Sequence, residues 1–365
     1  MKRVLTLVLV CLSVLAFFTG CSLQPSQQPL AEAEGSLLVH YIDVGQGDCI
    51  LIQTPSGKNM LIDAGNPGDF ETIDAYLQSK GVKRLDAIMA THPHSDHIGA
   101  MAEVVKAYDV GEIYAPKVNH NTQTYKNFLK AAAAKGIAIT PAHAGVTIDL
   151  DPAVGIELFS PVQDKSYSEL NSYSPITKLT YGDRAFVFTG DAEMDAEADA
   201  LAYGGARLKA DVLKLGHHGS DTSSSQAFLQ AVSPAYAVIS VGQDNSYGHP
   251  AQTTLDHLQG VNIYRTDTMG TVTAVCDGTS LRFVTQRGST GDNQIQPQAT
   301  AAAGTSDQAA SEALAQEAVY IGNKNSKKFH RPSCSGLPSE KNALSFSSRE
   351  EAIAQGYTPC GICAP

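Results

Sequence analysis

The sequence predicts an α/β fold: one large domain of mixed strands and helices, with a small appended unit too short to rely on a hydrophobic core. Three observations carry this reading. Short apolar runs alternate with helix-spaced stretches from residue 37 to about residue 284. Composition then changes abruptly to Ala, Gln, Ser, Thr and Gly before three clustered cysteines close the chain. The 365 residues, 43% of them apolar, suffice for one large core and something small beside it.

The chain opens with Lys2 and Arg3, then an almost unbroken apolar run over residues 4–18, then Phe18–Thr19–Gly20–Cys21. A positive start, a greasy core and small residues before a cleavage point make a secretory leader over residues 1–20. The run is shorter than the roughly 20 residues a membrane span needs. Its ending resembles a bacterial lipobox, with Phe18 where Leu is usual, which implies lipid on Cys21. Residues 21–36 read as a polar tether, and the expected location is the extracellular face of a bacterial membrane. Anchoring would rest on lipid alone, and no obligate protein partner is inferred.

The formal charge of −11 excludes a body that binds nucleic acid tightly by charge alone. From Val319 onward, six Lys or Arg face three Glu, so the tail tolerates a polyanion better.

The main domain spans residues 37–286. Residues 37–43 read as a strand, and 49–53 with 59–63 as a hairpin around Pro55–Ser56–Gly57. Helical spacing follows at 69–79, a buried strand at 85–90, and helical spacing again at 99–108. Strands at 176–181 and 185–189 flank a Gly182–Asp183 turn; helix-like stretches recur at 192–203, 224–232 and 251–259. Residues 287–318 read as a flexible linker, with a helical segment near 309–318 as the alternative, and 319–365 as the small unit. Cys49 and Cys276 sit singly in apolar stretches, as buried small side chains or as a disulfide pair.

Chemistry concentrates in Thr91–His92–Pro93–His94–Ser95–Asp96–His97, directly after the strand at 85–90. A loop at a strand end can turn His92, His94, Asp96 and His97 toward one point, which no regular element could do. Imidazole and carboxylate at this density suit zinc or manganese. The run matches the His-x-His-x-Asp-His signature of the metallo-β-lactamase superfamily. Leu61–Ile62–Asp63–Ala64–Gly65 resembles that family's buttressing strand end, and Thr189–Gly190–Asp191 the motif whose carboxylate bridges two metals. Asp43–Val44–Gly45–Gln46–Gly47–Asp48, Gly190–Asp191–Ala192–Glu193, His217–His218–Gly219–Ser220 and Asn245–Ser246–Tyr247–Gly248–His249–Pro250 are similar to the extracytoplasmic hydrolase domain of ComEC-type competence proteins.

The resemblance implies an αββα sandwich holding two divalent ions. His92 and His94 would hold one, Asp96 and His97 the other, and Asp191 would bridge them. A water held between two such ions ionises near neutrality, its pKa falling from 15.7 to about 7. Many superfamily members place another histidine before the Gly-Asp motif. The corresponding stretch here, Leu170–Asn171–Ser172–Tyr173–Ser174, has none. The ComEC-type subgroup commonly has Asn and Ser there, so the resemblance implies that Asn171 and Ser174 orient a bound water, unless His217 or His218 completes the first site. Adjacent side chains in a strand point to opposite faces, so His217 and His218 both reach the metals only if the turn breaks that rule; otherwise one is structural and His218 is the functional member. His249 is expected as a last ligand or as a proton donor, alongside Asp96 and His218 as catalytic candidates. Asp48 is expected either to line the cleft or to serve a tight turn.

In the tail, His330-x₃-Cys334 and Cys360-x₂-Cys363 have the pattern of a four-coordinate structural zinc site. Phe329–His330–Arg331–Pro332–Ser333–Cys334 and Gly356–Tyr357–Thr358–Pro359–Cys360 resemble the zinc-binding domain of the Ada DNA-repair protein. Where that family has a methyl-accepting cysteine this chain has His330, so methyl transfer is not implied. Taken together, the resemblances imply a membrane-anchored phosphodiesterase or nuclease acting on DNA. The alternatives are hydrolysis of a cell-wall phosphodiester or a lactone, and a surface lipoprotein that binds without catalysis. Lipid anchoring predicts that Cys21→Ala releases the protein from the membrane fraction or blocks its processing. Fractionation with immunoblotting checks this, and an unchanged membrane fraction would remove the lipoprotein assignment.

Overall fold

A computed structural model describes residues 35–288, and in the C-terminal unit 320–330, 337–338, 340–346, 352–353 and 355–360. Cys21, Cys334 and Cys363, with almost all of the expected tether and linker, lie outside the described residues.

Fourteen short strands build the first unit. They are β1 Leu37–Tyr41, β2 Ile50–Gln53, β3 Asn59–Ile62, β4 Arg84–Met89, β5 Asp109–Ala115, β6 Ile139–Pro141 and β7 Val154–Leu158. Then come β8 Thr177–Tyr181, β9 Arg184–Phe188, β10 Val212–Lys214, β11 Tyr236–Ile239, β12 Asn262–Arg265, β13 Val272–Cys276 and β14 Leu281–Thr285. One sheet has eight strands in the order β14-β13-β1-β2-β3-β4-β5-β6; the other has six, β12-β11-β10-β9-β8-β7.

Side-chain alternation sorts each strand between two cores. Leu37, Val39 and Tyr41 of β1, with Ile50 and Ile52 of β2, meet Phe186 and Phe188 of β9 in a core between the sheets. The opposite faces are covered by helices. Leu51, Leu61 and Ile88 pack under helices Phe70–Ser79, Met101–Ala107 and Gln123–Ala134. Val187, Leu213 and Ile239 pack under Met194–Gly204 and Gln226–Val232. The layers are therefore helix, sheet, sheet, helix, as the resemblance implied. Cys49 and Cys276 are both buried and free. Fully buried His40 is a core residue, its Nδ1 within 3.0 Å of the Tyr76 and Thr273 hydroxyls.

In the C-terminal unit, β15 Tyr320–Asn323, β16 Lys328–His330, β17 Ala343–Phe346 and β18 Thr358–Pro359 pair in the order β17-β15-β16-β18. Phe329, Phe346, Ala352 and Tyr357 form its small core. Phe329 pairs with Pro359, and the Cys360 amide donates to the Phe329 carbonyl at 3.0 Å. Two of the four expected zinc ligands, His330 and Cys360, thus follow neighbouring paired positions.

What positions the main site is strand direction. β3 and β4 run parallel, as do β9, β10 and β11. Their C-terminal ends deliver Asp63, His92, Asp191, His217 and Ser240 to the same edge, where open α/β sheets present their loops. The loops touch closely there. A Cβ on Gly99 would lie 2.0 Å from the Asn66 carbonyl carbon and 2.2 Å from the Pro67 nitrogen. Because both neighbours are backbone, Gly99→Ala is expected to destabilise the domain by about 1–3 kcal/mol. Urea denaturation checks this, with an unchanged midpoint counting against the close approach.

Candidate metal centre

Buried Asp63 organises the first loop from a left-handed backbone position, φ 59°. Its carboxylate accepts the Thr91 amide at 2.8 Å, the Thr91 hydroxyl at 2.7 Å and His97 Nδ1–H at 2.7 Å. The last bond fixes the His97 tautomer and leaves Nε2 facing the site. His92 is held the same way, its Nδ1 3.1 Å from the Thr91 hydroxyl and 3.2 Å from that of Ser174. His94 takes the N-cap position of the short helix Ser95–Ile98, which carries Asp96 in its first turn.

His217 and His218 settle what the strand rule left open. Both adopt left-handed backbone angles, φ 48° and 54°. Two consecutive such residues without a glycine are strained, and they cancel the alternation that would send one side chain away. Both rings consequently face Asp191: His217 Nε2 at 3.8 Å and His218 Nε2 at 3.6 Å from its Oδ2. Nδ1 of His217 lies 3.0 Å from the Thr222 hydroxyl, and Nδ1–H of His218 donates to the Ser240 carbonyl at 2.9 Å. Of the two alternatives, the turn breaks the strand rule, and both histidines are directed at the same carboxylate.

Two donor groups emerge around Asp191. In one, the ligand atoms of Asp96, His97, Asp191 and His218 all lie within 4.8 Å of one another. The other is joined pairwise: His92 Nε2 is 3.0 Å from His94 Nδ1 and 3.9 Å from Asp191, which His217 also approaches. Nitrogens sharing one zinc at about 2.0–2.1 Å would sit roughly 3.0–3.4 Å apart, so the His92–His94 spacing suits a shared ion. The buried atoms Asp191 Oδ1, His97 Nε2 and His218 Nε2 make no hydrogen bond. Such atoms are costly to bury, and all three are lone-pair donors aimed at one place. The residues present therefore fit divalent metal ions. His217 would be the imidazole that residues 170–174 lack.

The buried charges offset one another. Burial alone would push the Asp191 carboxyl up, but His97, His218 and His92 outweigh it and hold it well below the usual carboxylate range. Burial pulls His97 down, while Asp191 and Asp63 reverse the sign and raise it well above an ordinary histidine. His249 is drawn down to about 4 by burial and then by His217 and His218. It stands outside both groups, its ring 5.5 Å from that of His217 and its Nδ1 without a hydrogen bond.

The supporting residues divide. Ser174 is fully buried behind the site, accepting the Asp191 amide at 3.2 Å. Asn171 lines the cleft, donates to Glu193 at 2.9 Å and leaves Oδ1 unbonded. Asp48 does not line the cleft: it is 1% exposed and forms an ion pair with Lys214. Lys214, fully buried, also donates to the Gly190 carbonyl at 3.1 Å. Sequence reasoning passed over Lys214 and Glu193. The available signal was a lone charge in the apolar strand Val212–Leu213–Lys214–Leu215.

Metal content separates the roles. Asp191→Ala is expected to empty both positions of the hydrolase domain, and His97→Ala or His218→Ala only the one they share. His217→Ala is expected to weaken the position of His92 and His94. Inductively coupled plasma mass spectrometry on dialysed variants reads this, and full occupancy in Asp191→Ala would refute the shared carboxylate.

Residues 42–243 match the metallo-beta-lactamase superfamily, and residues 306–365 the metal binding domain of Ada. The chain is 32% identical over 263 residues to ComE operon protein 3 of Bacillus subtilis, covering 67% of this chain and 33% of that protein. It is 33% identical over 248 residues to Competence protein ComA of Neisseria gonorrhoeae, covering 67% and 33%. It is 29% identical over 228 residues to Recombination protein 2 of Haemophilus influenzae, covering 60% and 26%. The chain thus spans a third or less of the length of these relatives. With the fold, the donor groups and a match over more than half of its length in agreement, this chain belongs to the metallo-beta-lactamase superfamily, as a metal-dependent hydrolase related to competence proteins with an Ada zinc-binding domain at its C-terminus.

Proposed function

We propose that this protein is a phosphodiesterase of the nuclease type, acting on DNA at the extracellular face of the membrane to which lipid on Cys21 holds it. The observation that carries the reading is the pair of donor groups joined by Asp191 on a cleft of about 320 Å³, with His249 on its wall outside both groups. Two divalent ions, zinc or manganese, would supply Lewis acidity and an activated water there. A third ion, zinc, would be structural in the C-terminal unit.

The chain's own contribution is positioning. Asp63, the Ser240 carbonyl and the hydroxyls of Thr91, Ser174 and Thr222 each fix one imidazole, so that the donor atoms need no rearrangement. Asn171 lines the cleft and would orient a bound water there. Burial, His217 and His218 lower the His249 pKa to about 4, and an anionic phosphate in the cleft would raise it again, so that the ring takes up a proton with the substrate and passes it to the oxygen that leaves. Support for DNA comes from relatives named for competence and recombination and from the excess of basic residues after Val319. The described residues include no helix long and apolar enough to cross a membrane, and transport of DNA forms no part of the proposal.

Hydrolysis of bis-p-nitrophenyl phosphate and of single-stranded DNA by metal-loaded protein tests the reading. Wild type is expected to cleave both, and Asp191→Ala neither. His249→Ala is expected to keep its metal and to lose about 10²–10⁴ in rate on DNA. Its loss on the nitrophenyl ester should be smaller, because that leaving group needs no proton. Loss of metal from His249→Ala would make it a ligand. Failure of the metal-loaded wild type on both substrates would overturn the phosphodiesterase reading in favour of lactone hydrolysis or binding without catalysis.

A further inference from the structure

Tyr247 is 71% exposed, more than any other large apolar side chain among the described residues. It lines the same cleft as Asp96, Asp191, His217, His218 and His249. Its ring stacks on that of His249, with centroids 5.7 Å apart and planes within 23°. One face is therefore backed by an imidazole and the other is open.

The loop that presents this ring is held in place. Asn245 donates to the carbonyls of Gly242 at 3.0 Å and His249 at 2.7 Å, and accepts the His249 amide at 3.0 Å. Asp244 and Gly248, on either side, take positive φ of 54° and 75°. A single side chain thus closes the loop on itself, so the ring is offered to solvent from a fixed base. An exposed aromatic on such a base contributes nothing to the core; it is placed to receive a planar partner.

The chemistry of the cleft narrows the partner. Its lining holds histidines, Asp96, Asp191, Asn171, Gln46, Ser95 and Tyr247, and neither Lys nor Arg. A duplex is held mainly by rows of cations on its phosphates, and its base faces are covered by their neighbours. An unpaired nucleotide can add stacking on aromatic rings to its backbone contacts, and stacking tolerates any base. Two ring-to-ring steps, 5.7 and 5.5 Å, lead from Tyr247 through His249 to His217. A nucleoside can bridge that span, with its phosphate toward Asp191 and its base on the tyrosine.

We infer that Tyr247, backed by His249, is the stacking subsite for an unpaired nucleobase adjoining the scissile phosphodiester, so that the site takes single-stranded rather than paired nucleic acid. This rests on the phosphodiesterase reading for its orientation, but its test does not require turnover. The chain contains no tryptophan, so Tyr247→Trp places a single fluorescent ring at the subsite. Metal-loaded, full-length Tyr247→Trp protein is mixed with a ten-residue oligothymidylate, an abasic ten-mer of equal charge, or a blunt duplex, and the initial quench is read. Saturable quenching by the oligothymidylate, with little from the abasic strand or duplex, is expected. Equal quenching by the abasic strand, or none by any, would overturn the subsite.

Kinetics give the second arm. Tyr247→Ala is expected to raise KM for thymidine 5′-(p-nitrophenyl phosphate) about 10- to 100-fold more than KM for methyl p-nitrophenyl phosphate, with Tyr247→Phe restoring most of it. Equal effects on the two esters would overturn the subsite while leaving the phosphodiesterase reading intact. Selective quenching in a protein that hydrolyses neither ester would support the subsite and defeat the catalytic reading.

Discussion

Three carboxylates, Asp48, Asp63 and Asp191, are buried to 1% exposure or less at the same edge of the two sheets, and the rest of the site is arranged around their charge. Burying one ion without compensation costs several kcal/mol. Each has a separate answer. Asp63 is matched by His97 and by two groups of Thr91, although burial still raises its pKa. Asp48 is matched by Lys214. Asp191 is surrounded by four imidazoles and keeps one oxygen, Oδ1, without any protein partner. That residue of unmet demand is what divalent ions would satisfy.

The same compensation locks the loops together. The Asp48 amide donates to the Asp96 carbonyl at 3.1 Å, and the Asp48 carbonyl accepts from Gly65 at 2.9 Å. A Cβ on Gly47 would meet the Asp96 carbonyl oxygen at 2.5 Å, so the loop after β1 lies directly beneath the metal-binding loop. Lys214 ties Asp48 to the Gly190 carbonyl, next to Asp191. Groups from β1, β4, β9 and β10 are thereby one connected unit. A dinuclear site needs this, because donors misplaced by an ångström bind and activate poorly.

Exposed or half-buried, by contrast, are the residues of the Asn245–Pro250 segment. His249 and Tyr247 stand on the cleft wall, backed by one another and by the Asn245 bonds rather than by the carboxylate network. The division is between a buried floor that fixes metal geometry and a more exposed wall that meets the substrate. It parallels the general rule that function varies on loops above a rigid scaffold.

What the sequence determined by itself was local. The hairpin at Pro55–Ser56–Gly57, the strands flanking Gly182–Asp183 and the helix Phe70–Ser79 follow from periodicity and turn residues within one window. The cluster His92–His97 was legible because its ligands are contiguous, and Asp63 and Asp191 through the family motifs that their segments resemble. Only the tertiary structure decided the rest. Asp48 and Lys214 are far apart in sequence, and nothing near either one announces the other. His217 and His218 obey the alternation rule on paper; two left-handed residues, strained but held by the Ser240 carbonyl and Thr222, turn both toward Asp191. Tyr247 reads as an ordinary loop tyrosine until the cleft places it beside His249. The physical reason is common to all three: periodicity records which face a residue presents, whereas charge compensation, backbone strain and exposure are set by partners that only folding brings together.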